Sequence, residues 1–232
     1  DDSIPNEDST LVEFDEGNLF SLDRFPGSDE TESGARLNTG VTWTTFSPDG
    51  WSLGLTGGRV WREADTGQFG PSSGLDGLNS DWLGAIQLAT TDGLLVTGRV
   101  LFDDTFQATK SEVRLDVARS RYGVSGSYLW AVADASEDRP DPTSELTVDA
   151  RYKLTPNWTS KLSGRYDFQA DRGTVAGMGF AFRNECLLVD LSLSRRFTSS
   201  TSVKPTTSFD LSFDLLGFGG KKAAGPARVC RR

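Results

Sequence analysis

The sequence has no histidine, one methionine and two cysteines in 232 residues, and nowhere does it run to 18 consecutive apolar side chains. Each shortage closes a class of function. Without imidazole there is no Ser–His or Cys–His nucleophile pair, no histidine-ligated metal and no imidazole proton shuttle. Cys186 and Cys230, 44 positions apart, cannot build a structural zinc site alone. The missing apolar run excludes a spanning helix but leaves a spanning barrel open, since half of each barrel strand faces a polar interior. "GVSGS" at 123–127 is not G-x-S-x-G, and "LLGFGGKK" lacks the first P-loop glycine and the Ser/Thr. Carboxylates such as Asp103 and Asp104 have no pocket visible in the sequence. No catalytic residue, metal ligand or cofactor is expected.

The net charge of −9 hides an uneven spread. Residues 1–34 hold 11 acidic side chains and one arginine, and the remaining 198 residues are balanced to within one charge. The opening segment reads as a solvated acidic loop, with a short strand possible at Leu11–Phe14. With no basic stripe, nucleic acid is not an expected partner. The chain starts on Asp and its single methionine is Met178, as expected of a chain processed or cut from something longer.

From Ala35 the pattern changes to period two, punctuated by Gly, Pro, Asn, Asp and Ser. Eleven strands are expected, at 35–46, 51–62, 81–90, 94–103, 110–119, 123–133, 144–154, 157–168, 173–183, 187–197 and 206–217. In the four most regular, one parity is apolar at 18 of 21 positions and the other at 1 of 20. A sandwich is also two-faced, but its strands run about 5–6 residues. Ten residues at about 3.3 Å each, tilted near 45°, cover about 23 Å, close to the ~25 Å apolar band of an outer-membrane barrel. Trp43, Trp51, Trp61, Trp82, Tyr152, Trp158, Phe168, Phe197 and Phe218 fall near strand ends, as an interfacial girdle would. The lipid-facing parity also includes Arg195, placed to snorkel at the outer rim.

Loop lengths alternate. "SPDG", "TDG", "SRYG", "TPN" and "NEC" are tight, whereas 63–80, 134–143 and 198–205 are long; the loop near Asp171 breaks the rule. Short turns on one rim and long loops on the other suit an outer-membrane barrel with the tight rim periplasmic. Cys186 then stands in an oxidising compartment, a candidate for a disulfide. Eleven is odd and bacterial single-chain barrels have even counts. The expected fold class is therefore all-β, an antiparallel transmembrane β-barrel of which this chain is the C-terminal part, about eleven strands of a larger barrel.

Two motifs add a family. "IPNEDS...FDEGNLFSLDRFPG" followed by an arginine and "NTG", with "RNECLLVDLSLSRRFTSS...KPTTSFDLSFDLLGFG", closely resembles the C-terminal part of the LptD family, the lipopolysaccharide-assembly proteins of the Gram-negative outer membrane, in its alphaproteobacterial form. Asn18, Leu19, Phe20, Arg24, Phe25 and Gly27 carry the first motif. The resemblance covers nearly the whole chain to Gly219, and three parts are expected: an acidic loop segment at 1–34, barrel strands at 35–219 and, outside the resemblance, a basic tail at 220–232. It implies localisation in the cell outer membrane and assembly of lipopolysaccharide into its outer leaflet. Its implied partners are lipopolysaccharide, an LptE-type lipoprotein plug, a periplasmic LptA-like bridge, the barrel-assembly machinery and outer-membrane lipid.

In the family, cysteines near the penultimate strand join cysteines of the N-terminal portion, and Cys186 stands there. Here one cysteine replaces an adjacent pair, so the number of bridges stays open. Cys230, in the tail, has three outcomes open to it, a bond to Cys186, a bond to another chain or none, and a free or incidental thiol is the one expected. The polar parity supplies lumen-lining candidates: Arg99, Arg114, Asp116, Glu145, Asp149, Arg151, Lys153, Lys161, Arg165, Asp167, Asp190, Asp210 and Asp214. The resemblance also implies a seam at the last strand, and Pro205, which lacks an N–H donor, is its gate candidate. A passive porin is the nearest alternative function, an outer-membrane enzyme a distant one.

Overall fold

A computed structural model describes residues 13–27, 30–135, 139–198 and 204–215. Its strands are β1 (Arg36–Phe46), β2 (Trp51–Arg62), β3 (Trp82–Thr90), β4 (Leu94–Phe102), β5 (Ala108–Ala118), β6 (Tyr122–Ala131), β7 (Thr143–Lys153), β8 (Trp158–Asp167), β9 (Arg172–Arg183), β10 (Leu187–Arg196) and β11 (Thr206–Leu215). They form one sheet in sequence order, the meander of an antiparallel barrel wall. The period-two reading located every strand to within two residues. A 3₁₀ turn lies at Pro71–Ser73, in the long connection between β2 and β3.

Tight turns fix the register. At 47–50 the amide of Ser47 donates to the carbonyl of Trp51 (2.8 Å) and that of Gly50 to the carbonyl of Ser47 (3.0 Å), with Gly50 at φ 83°. At 184–186 the Asn184 side chain accepts from the amides of Cys186 (2.9 Å) and Leu187 (2.7 Å), so a polar side chain substitutes for the missing ladder partners.

By contacts the chain divides into two units, Asp1–Leu115 with Ser127–Ser144, and Asp116–Gly126 with Glu145–Arg232. In the first, the pairing Trp43↔Leu55↔Ile86 aligns one face and Gly40↔Gly58↔Leu83↔Leu101 the other. The first face is bare: Val41 is 72% exposed and Trp43 53%. The second carries the core, because Val60, Leu83 and Leu101 are covered by Phe14, Leu19, Phe25, Phe69 and Leu75 from the loops. The acidic opening segment is therefore not a solvated loop over its described part; Phe14 and Leu19 are buried at its centre. The short strand expected at Leu11–Phe14 does not extend over Glu13 and Phe14, and positions 11–12 lie outside the described residues.

In the second unit, Ala150↔Leu162↔Met178↔Leu193↔Phe209 aligns an apolar face and Asp149↔Ser163↔Gly177↔Ser194↔Ser208 a polar one. Again the apolar face is uncovered, with Phe209, Leu211 and Phe213 exposed on β11. Most of the expected girdle residues, Trp43, Trp51, Trp61, Tyr152, Trp158, Phe168 and Phe197, are exposed too; Phe218 lies outside the described residues.

Candidate functional site

The polar face of the first unit is built around a latch. Gly40 and Gly58 stand opposite each other on β1 and β2, and a Cβ on Gly40 would lie 2.6 Å from Leu19 Cδ2. Two glycines thus open a shallow seat in the sheet into which the loop inserts Leu19. Asn18 shapes that loop by accepting from the amide of Asp15 (3.0 Å), while the Asp15 carboxylate accepts from the amides of Gly17 and Asn18 (both 2.9 Å). Phe25 stacks on Phe69 with centroids 5.2 Å apart.

Above this seat a single carboxylate, Glu32, holds three arginines. Arg24 Nη1 donates to it at 2.6 Å, Arg62 Nη2 at 3.1 Å, and Arg36 lies at 3.5 Å. The Glu32 and Arg24 side chains are wholly buried. Arg24 also donates to the carbonyl of Leu19 (2.8 Å) and Arg62 to that of Leu75 (2.7 Å), where Arg62 covers the Phe69 ring. Burial pulls the Arg24 guanidinium below its ordinary range, Glu32 opposes this, and Arg36 and Arg62 add to it by repulsion. The segment is tied at its other end as well. Glu16 receives Arg99 at 2.7 and 3.0 Å, and Lys110 meets Glu13 at 3.1 Å. The Arg99 hydrogen bonds hold the Glu16 carboxyl below the usual carboxylate range.

The polar face of the second unit bounds a cavity of about 580 Å³. Its floor is small, from Gly123, Ser125, Ser163, Gly177, Gly179, Ser192 and Ser194, and Asp116, Asp149, Arg151 and Lys161 supply balanced charge. Small polar side chains leave room for water or saccharide and provide hydroxyls to meet it. A second cavity of about 310 Å³ lies at the tight-turn end, lined by Arg119, Arg121, Tyr122, Arg151, Lys153 and Thr159.

The lumen candidates divide accordingly. Asp116, Asp149, Arg151 and Lys161 meet at the larger cavity and Lys153 at the smaller. Lys161 pairs with Asp190, and Arg165 lies 3.9 Å from Glu145, which sits opposite Asp167 in the register. Arg99 is engaged by the latch, with Glu112 at 3.1 Å. Arg114 is on β5, and Asp210 and Asp214 are on β11, exposed. Arg195 has the apolar-face parity expected of it and lies over the Phe197 ring at 5.4 Å. Pro205 immediately precedes β11. Cys186 is disulfide-bonded, and Cys230, the only other cysteine of the sequence, lies outside the described residues.

Of the motif residues, Leu19, Arg24 and Phe25 are buried, Phe20 is exposed and Gly27 half-buried. Sequence reasoning missed Glu32, Arg62, Phe14 and the seat glycines. The Gly57–Gly58 pair inside a strand was the available signal, since such glycines mark close approach of another segment.

The family model described as "LptD: LPS transport system D" matches residues 1–158. The LPS-assembly protein LptD of Vibrio cholerae is 23% identical over 256 residues, an alignment covering 97% of this chain and 32% of that protein. The chain thus spans about a third of the length of the curated relative it matches. With the family model spanning more than two thirds of its length, this chain belongs to the LptD family.

Proposed function

We propose that this chain forms part of the wall of an outer-membrane barrel that assembles lipopolysaccharide into the outer leaflet. The polar face lines a hydrophilic lumen for the saccharide and phosphate groups, and a lateral seam at β11 releases the acyl chains into the membrane. The observation that carries the reading is the inverted core. Loops bury apolar side chains against the polar face, while the apolar face of each unit stays bare. Burying a Leu or Phe side chain is worth about 1.5–3 kcal/mol, so a water-soluble fold would not leave some ten of them uncovered; a lipid surround removes the cost. An LptE-type plug, an LptA-like bridge and assembly by the barrel-assembly machinery belong to the same proposal.

The test is photo-crosslinking in the full-length protein in cells. A crosslinker replacing Ser192 or Ser163, in the larger cavity, is expected to capture lipopolysaccharide, and one replacing Leu211, on the apolar face, to capture phospholipid. Lipopolysaccharide crosslinks absent from the cavity positions would leave a passive porin as the better reading.

A further inference from the structure

The smaller cavity has a composition that the larger lacks. Four of its six lining residues are cations, Arg119, Arg121, Arg151 and Lys153, and none is acidic. The backbone draws them together. The amide of Arg119 donates to the carbonyl of Tyr122 (2.8 Å), closing the β5–β6 turn, and the amide of Lys153 donates to the carbonyl of Arg121 (2.8 Å), joining β7 to that turn. Arg151 and Lys153 are two apart on β7 and so share a face, and Lys153 pairs with Thr159 of β8. Arg151 packs against the start of β6, where a Cβ on Gly123 would sit 2.7 Å from its Nε. Arg121 is fixed over the Tyr152 ring at 5.4 Å.

Converging like charges gains no stability, and surface ion pairs of guanidinium groups at a strand end contribute little to a fold. Their common property is recognition: guanidinium forks match phosphate oxygens in pairs, and Lys adds a point charge. Tyr122 and Thr159 complete the lining. Arg151 lines both cavities, so a phosphate held at the rim carries its substituent towards the small-residue floor of the larger one.

We propose that Arg119, Arg121, Arg151 and Lys153 form a binding site for a phosphate monoester at the tight-turn rim. The site deepens the transport reading and rests on it for the assignment of this rim to the periplasm and for the class of headgroup that would reach it. The chemistry fits a phosphorylated sugar headgroup or free phosphate. The probes are glucosamine 6-phosphate, inorganic phosphate and the neutral disaccharide maltose, titrated into the full-length protein in detergent micelles. Binding of the phosphates is followed by ³¹P line broadening and that of maltose by saturation-transfer NMR. Both phosphates are expected to bind and maltose not to. R119S/R121S, on an exposed turn, is expected to weaken phosphate binding about tenfold or more, as loss of charge-assisted hydrogen bonds would. K153Q, a separate and milder change, should weaken it less, and heat-modifiable gel migration checks that each barrel is folded. Tighter binding of the phosphosugar names a glycolipid headgroup and equal binding names free phosphate; either upholds the site. No phosphate binding by the unaltered protein, maltose binding as tightly, or unchanged binding by folded variants would overturn it. Because no transport is measured, lost lipopolysaccharide crosslinks with intact phosphate binding count against the transport reading alone.

Discussion

Glu32 is where one side chain matters most. It sits in "SDETESG", a stretch that on composition alone belongs in water, yet its carboxylate is wholly buried among Arg24, Arg36 and Arg62. Removing one partner of a buried ion pair costs about 3–5 kcal/mol, because the other is left charged and dry. Glu32→Ala leaves Arg24 and Arg62 in that state. It should free the segment at 13–27, read as loss of amide hydrogen-exchange protection there while strand amides keep theirs. Glu16 gives the milder contact at the segment's other end. Its carboxyl is held below the ordinary 4.5 by Arg99, so its contribution is present above 4.5 and lost as pH falls through the lowered value. Partial exposure limits this to a few tenths of a kcal/mol. Exchange at 13–17 should rise on acidification, and Glu16→Gln should flatten that pH dependence. Neither role was legible, since the partners of Glu32 come from positions 24, 36 and 62, and no local pattern brings those together.

Strands behaved differently, because their signal is local. A side-chain period of two and five tight turns fix which residues face together, and a one-residue slip would exchange both faces of β10, so its register with β9 and β11 is strongly held. The seat in β1 and β2 is the exception, a local sequence whose meaning depends on a segment elsewhere. Gly58→Val would place a branched side chain where Leu19 lies. Its Cβ would also lie 2.6 Å from the Thr39 carbonyl oxygen of β1, so it should expel the latch and strain the β1–β2 ladder locally, seen as new protease cleavage near Arg24 with the heat-modifiable barrel retained. At the other end of the sheet, β11 is paired, among the described residues, on one side, with β10. Pro205 at its start withholds a donor from any further neighbour. Pro205→Ala in the full-length protein should tighten a seam there and slow lipopolysaccharide export; unchanged export would remove Pro205 from the gate.

For the molecule as a whole, what the apolar face touches decides everything else. Without detergent, full-length protein should aggregate through that face, and in micelles the exposed tryptophans Trp43 and Trp51 should be quenched by brominated detergent chains, to which the buried latch is inaccessible. The sequence alone determined the eleven strands, their two faces and the rim with tight turns, because backbone pairing and a period of two are properties of neighbours in the chain. Only the tertiary structure decided that the acidic opening folds onto the polar face and that four cations meet at the rim. Those arrangements depend on residues far apart in sequence, whose approach is set by the sheet and by glycine seats within it.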